Sequence, residues 1–450
     1  QQQASSKERK AKRMSRVVRQ SKYRHVFGTG SKKEQCYDNL TPSRSAWDSN
    51  KVKANNKYVG LILEARGGGA FAVFPNQKLG KYTADLPRFT GHKGEVLDID
   101  FSPFNDGIVA SVSEDGNGRI WSIPAGGPTE SVATPTQQLI GHKRKVGTAD
   151  FHPTAENILA TTSTDFTVKI WDIENGAAAL TVPGHSDIVQ SLAWSRNGSR
   201  VVTTCKDKKI RLLDPRTQSI AAETAGHQGV KGSRATWLGD KGTIFTVGFT
   251  KTSDRAYAIY DPRNFAAPVA KQNIDTSSGL LMPFYDNDTS LLFVGGKGDG
   301  NIRYYEVVDD APYLHYVADY KSAVPQLGLC LRPKTAVDVS VCEVASILKV
   351  ADSYVEPISF QVPRKSELFQ DDIFPPTAGP DAALTAAEYL GGRDADPILV
   401  NLEGGFVARE RPEFKPSVVV EEKAELTEAE LRTEHEKLTR RVAFLEAELV

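Results

Sequence analysis

Over much of the chain, apolar positions alternate with polar ones at a period of two. "ILATTSTDFTVKIWDI" (158–173) and "SRVVTTCKDKKIRLLD" (199–214) are rich in Val, Ile, Thr and aromatic residues, and each breaks at an Asp-bearing turn. Such residues suit a half-buried pleated surface, so each run predicts two strands joined by a tight turn. The runs recur. Gly-His pairs stand at Gly91-His92, Gly141-His142, Gly184-His185 and Gly226-His227, with steps of 50, 43 and 42 residues between the histidines. Asp115, Asp165, Asp207, Asp254 and Asp299 fall in the turns, and six residues after each comes Trp121, Trp171, Leu213, Tyr260 or Tyr305. Short strands within a repeat of about 40–50 residues predict four-stranded propeller blades.

The segment "GHKRKVGTADFHPTAENILATTSTDFTVKIWD" (141–172) resembles a WD repeat. In that family a His, a Ser or Thr, an Asp and a Trp hydrogen-bond within each blade. The matching sets are His92, Ser111, Asp115 and Trp121, then His142, Thr161, Asp165 and Trp171. A third set has His185, Thr203 and Asp207, but Leu213 stands in place of the Trp, so its last bond should be missing. Such a network satisfies buried polar groups and pins the turn.

Five repeats fill about 91–305, and the flanks supply two more blades. "YVGLILEARGGGAFAVFP" (58–75) reads as a hairpin with a Gly-rich tip, and 313–365 holds the strand-like "LHYVADY", "ILKVADSYV" and "EPISFQVP". The expected fold is all-β, a seven-bladed propeller over 14–365. Its ring should close through "RHVFG" (24–28), which removes an exposed sheet edge. Residues 1–13 read as a flexible basic extension, 366–403 as an arm packed on the propeller, 404–423 as a linker and 424–450 as a coiled coil. The arm carries Leu368, Phe369, Ile373 and Phe374 as anchors and a short helix within 381–390.

In the tail, Thr427 and Glu430 have capping-box spacing. Ala424, Leu431, Leu438 and Leu445 fall at d positions, and Glu428, His435, Val442 and Leu449 at a positions. An isolated helix of this length is marginal in water, so it needs partners. "RVAFLE" (441–446) resembles the trimer motif of parallel coiled coils, with Arg441 and Glu446 pairing across neighbouring helices, so a homotrimer is favoured over a dimer.

Composition narrows the chemistry. Of 450 residues, 56 are Lys or Arg and 56 are Asp or Glu, which argues against a non-specific nucleic-acid binder. The basic clusters "KYRH" (22–25), "HKRK" (142–145) and "KDKK" (206–209) lack the aromatic interleaving that single strands require. Cys36, Cys205, Cys330 and Cys342 form no Cys-x-x-Cys pair, which predicts no zinc framework and a reducing compartment. No apolar run is long enough to span a membrane, and no secretory signal stands at the start. The repeated His and Asp residues have a structural role, no nucleophile elbow occurs, and "GGKGDGNIR" (295–303) lacks the phosphate-loop pattern. Neither catalysis nor a cofactor or metal is expected. The competing readings are a filament-binding scaffold, an adaptor propeller that takes short peptides at its central mouth, and, weakest, a propeller enzyme.

Longer motifs narrow the family. "SKYRHVFG" (21–28), "AWDSN" (46–50), "GGGAFAVFP" (67–75), "SGLLMPFYD" (278–286), "GKGDGNIRYYE" (296–306) and "VPRKSELFQDDIFPPTAGP" (362–380) all resemble coronin, as does the order of propeller, arm, linker and coiled coil. The resemblance implies an actin-filament-binding protein of the cytoplasm and the actin-rich cell cortex. It implies engagement of the actin-related-protein nucleating complex and influence on filament-severing factors. Family members often carry a basic residue shortly after the "CY" pair; here Thr41 takes that place, with Arg44 three residues on. The expected filament contacts are Lys22, Arg24, Arg44, Lys206, Lys208 and Lys209.

Overall fold

The computed structural model describes residues 20–364, 368–407 and 428–448, and it divides into two units at Ala408/Arg409. Seven blade sheets, antiparallel but for one short parallel pair at the edge of the seventh, make up the propeller of the first unit, and the arm adds a two-stranded sheet. The third blade shows the common plan. Val146–Phe151, Ile158–Ser163, Val168–Asp172 and Ala177–Val182 pair in sequence order, each with its neighbour. The second strand is buried along its whole length, while the fourth is largely exposed. This gradient explains the sequence: apolar, β-branched runs on the inner strands and Ala or polar residues on the rim.

Ring closure occurs in the seventh sheet. Gly328–Leu331, Glu343–Val350 and Tyr354–Gln361 come from the end of the propeller, and Phe27–Gly30 from its start pairs with the last of these. The expected closing segment 24–28 is thus corrected: residues 22–25 form a turn, and the strand runs from Phe27. Tyr23 in that turn and Val26 just after it are core residues, and Tyr304 Oη donates to the Val26 carbonyl at 2.9 Å. A second assignment also shifts. "LHYVADY" lies in Leu314–Lys321, the outer strand of the sixth blade, and takes no part in the seventh.

The arm runs along one face of the ring. Ile373 and Phe374 enter the core between blades six and seven, with Phe369 and Phe406 packed beside them. Its helix, Ala386–Leu390, is shorter than the expected segment and carries a capping box from Thr385 and Glu388. Tyr389 is fully buried. Its ring lies 4.3 Å from that of His152, and Arg216 stands 5.5 Å above it while pairing with Asp394 at 2.8 Å. Gly198 makes room for His152, since a Cβ there would lie 1.9 Å from Nε2. Contact with the propeller lasts to Val407, whose N–H donates to Ser340 Oγ, past the expected start of the linker at 404.

The second unit is a helix, Glu428–Glu448. Leu431, Leu438, Val442 and Leu445 lie exposed along it, as do Arg441 and Glu446. The extension 1–13, Thr427, Leu449 and most of the expected linker lie outside the described residues.

Candidate interaction faces of the propeller

Within a blade, the turns joining first to second and third to fourth strands fall at one end. The turn joining second to third strands, and the link to the next blade, fall at the other. The repeated hydrogen-bond sets lie at this second end. His92 reaches Asp115 through Nδ1 at 3.0 Å and Ser111 through Nε2 at 2.8 Å, and Trp121 Nε1 donates to the same Ser111 hydroxyl at 2.8 Å. His142, Asp165, Thr161 and Trp171 repeat this at 2.9, 2.8 and 2.8 Å. Burial pushes the Asp115 carboxyl up, but bonds from His92, Lys93 and Asn117 outweigh it and hold the pKa at about 2.

The third set departs further than expected. His185 Nε2 meets Thr203 Oγ1 at 2.9 Å, but Asp207 bonds Arg211 and Ser186 at 2.6 Å instead of the histidine. Burial, then the Arg211 charge, lowers the His185 pKa to about 4. In the fifth blade His227 keeps its bond to Thr246 at 3.1 Å. Asp299 in the sixth pairs instead with the buried Arg255 of the fifth at 2.7 Å, and Arg255 also holds Asp275 at 2.6 Å. An ion-pair network across two blades here replaces the set within one.

The six basic residues expected to contact a filament do not form one patch. Lys206, Lys208 and Lys209 lie at the turn between the second and third strands of blade four, and all are exposed. Lys209 pairs with Glu223 at 2.5 Å, whereas Lys206 and Lys208 form no ion pair among the described residues. Arg44 shares this face, because it pairs at 2.9 Å with Asp352, in the corresponding turn of blade seven, and its N–H donates to Glu64. Lys22 and Arg24 stand at the other face. Phe27 pairs with Gln361 at the far end of its strand, and Lys22 Nζ donates to the Asp372 carbonyl of the arm.

The face with Arg44 and Lys206 carries a structure the repeat pattern does not announce. Residues 43–51 form a strap across the axial mouth. The Trp47 ring lies over Gly147, where a Cβ would come within 2.0 Å of it, and its indole N–H donates to the Gly147 carbonyl at 2.8 Å. Lys145 sits 5.4 Å from the Trp47 ring. Asp48 pairs with Lys297 at 3.1 Å, and Arg234 donates to the Asp48 carbonyl and to Asn50 Oδ1. The strap thus ties blades three, five and six together. A lone Trp outside the repeat phase was the available sequence signal.

Lysines and arginines dominate the exposed turns around the strap. Lys93, Lys143, Arg144, Lys206, Lys208, Lys231 and Lys251 all lie on this face and are exposed. All four cysteines are unpaired. No helix among the described residues is long and apolar enough to cross a membrane.

Comparison with known proteins places this architecture. Residues 84–122, 133–172 and 177–214 match the WD domain, G-beta repeat; 355–397 match a type of WD40 repeat; 16–81 match a domain of unknown function. The WD40 domain of Toxoplasma gondii coronin superposes with a TM-score of 0.80 at 32% identity, covering 84% of this chain and 97% of that one. A chain of the mitotic checkpoint complex, at 14% identity and a TM-score of 0.55, shares the fold alone. Coronin-A of Dictyostelium discoideum is 59% identical over 438 residues, 97% of this chain and 98% of that protein. At this identity along nearly the whole length, strap, propeller, arm and tail together, the chain belongs to the coronin family.

Proposed function

We propose that this chain binds actin filaments through the propeller face that carries the strap, and that it acts as a scaffold and not as an enzyme. Membership of the coronin family is the observation that carries the reading. The exposed, unpaired Lys206 and Lys208 and the basic turns around them support the choice of face, since an acidic polymer is attracted to such a surface. Lys22 and Arg24, on the opposite face beside the arm, belong to a second and separate contact. The tail helix joins copies of the chain, a trimer being favoured by Arg441 and Glu446, and several weak propeller contacts on one stalk then bind a repetitive polymer with avidity. In this role the protein works at the actin cytoskeleton, engages the actin-related-protein nucleating complex through the tail, and influences filament-severing factors. The strap weighs against a peptide-reading adaptor, because it occupies the axial mouth that such an adaptor would use.

Co-sedimentation with actin filaments tests the reading. The full chain is expected to pellet with filaments, and a chain ending at residue 407 to pellet much more weakly. No pelleting of the full chain at low salt would overturn the proposal.

A further inference from the structure

The axial chamber is lined by two arginines whose guanidiniums find no hydrogen-bond acceptor among the described residues. On the face that carries the arm, a cavity of about 520 Å³ opens on the axis, roofed by residues 377–380 and by Pro397 of the arm. Three ion pairs in and beside it cancel: Lys53 with Asp100 at 2.8 Å, Lys57 with Asp106 at 3.6 Å, and Lys334 with Asp286. Two lining guanidiniums remain, Arg196 from blade four and Arg332 from blade seven. Neither enters an ion pair or side-chain hydrogen bond among the described residues, and Arg332 Nε is buried without an acceptor. Two carboxyls lie within electrostatic reach of them: Asp288 near Arg196, its pKa raised by burial and then by Asp286, and Glu343 near Arg332, its pKa raised by burial. Trp194, Trp237 and Tyr285 contribute aromatic side chains to a wall otherwise of mixed polar and aliphatic residues.

A buried donor without a partner costs free energy that a bound acceptor recovers. The planar guanidinium fork matches phosphate and carboxylate oxygens. A carboxylate has two oxygens, enough for one fork. A phosphate monoester has three terminal oxygens and can serve two arginines that approach from different blades. The volume is that of a small-molecule site, and aromatic side chains suit a flat or apolar body. We propose that this chamber binds a phosphate monoester of about mononucleotide size, Arg196 and Arg332 holding the phosphate and the aromatic side chains its body.

Calorimetric titration of the full chain tests this with two probes, AMP for a free phosphate ester and O-phosphoserine for a phosphorylated side chain, against adenosine and serine. At least one phosphorylated probe is expected to bind saturably with a Kd below about 1 mM, and its unphosphorylated counterpart at least about tenfold more weakly. Arg196→Gln and Arg332→Gln should each weaken binding about tenfold or more, while Arg66→Gln, exposed on the other face, leaves it unchanged. Binding should also slow amide exchange in residues 377–379. If Arg332→Gln lowers the melting temperature, Arg332→Lys, which keeps the charge and loses the fork, serves in its place. Absence of saturable binding by either phosphorylated probe, equal binding of the unphosphorylated ones, or unchanged affinity in a stable double variant would overturn the proposal.

Discussion

Trp171 Nε1 donates to Thr161 Oγ1 at 2.8 Å, and the same hydroxyl meets His142 Nε2 at 2.8 Å. One blade later, Thr203 has only its histidine, because Leu213 holds the place of the indole. Both side chains are buried, at 1% and 0% exposure, so they differ in volume and in the hydrogen bond, not in burial.

Trp171→Ala should therefore destabilise the fold more than Leu213→Ala. Such truncations cost roughly 3–5 kcal/mol for Trp and 2–5 kcal/mol for Leu, and the Trp variant also leaves a buried hydroxyl short of a donor. Equal shifts in thermal melts of the two variants would count against the network in blade three.

Stability should fall on acidification from about pH 6.5 towards pH 4. Burial lowers the pKa of His152, His185 and His227 to about 4 each. In this window the unfolded chain takes up protons that the folded chain refuses, so stability rises with pH and is lost as pH falls. Each unit of depression is worth about 1.4 kcal/mol once fully expressed. Asp115, held at about 2, adds its own loss only below about pH 4. Urea midpoints at pH 7.5, 6 and 4.5 measure this, and a flat series would contradict the buried neutral rings.

The arm should be separable from the ring by one substitution. Tyr389→Ala removes the side chain that fills the space between His152, Trp194 and Arg216. Limited proteolysis should then cut within 381–407 at least about tenfold faster, while the propeller stays intact, since local opening follows local contacts. Cleavage at the wild-type rate would show that the helix is not the latch.

Filament binding should weaken with salt and should distinguish the two faces. Exposed charges are screened over about 8 Å at physiological ionic strength. Lys206→Glu/Lys208→Glu is expected to reduce co-sedimentation more than Lys209→Glu, because Lys209 is already paired with Glu223. Full binding by the double variant, with loss in Lys22→Glu/Arg24→Glu, would move the contact to the arm face.

The tail should set the oligomeric state. Leu438, Val442 and Leu445 are exposed at 61%, 52% and 47% on the helix described by itself, an apolar row that requires partners in water. Sedimentation equilibrium of the full chain should give a trimer, reduced by Arg441→Ala. A dimer mass for the wild type would sink the trimer, and a mass indifferent to Arg441→Ala would sink the pairing that selects it.

The repeat, the blade count and the first two hydrogen-bond sets were legible in the sequence because each rests on local spacing. A strand alternates at period two, a turn requires its Asp, and a blade recurs at a fixed interval whatever its neighbours do. The tail heptads are local in the same sense. Tertiary structure decided what depends on residues distant along the chain. It placed the closing strand at Phe27–Gly30 by its pairing with Ile358–Gln361, and it turned Asp299 to Arg255, 44 residues earlier in the chain. It laid residues 43–51 across the axis, because only there do Gly147, Arg234 and Lys297 converge on Trp47, Asp48 and Asn50. It also set Lys22 and Arg24 on the face opposite Arg44, Lys206 and Lys208. A charge cluster has no direction until the strand that carries it is paired, and closing a ring is what fixes which way each strand runs.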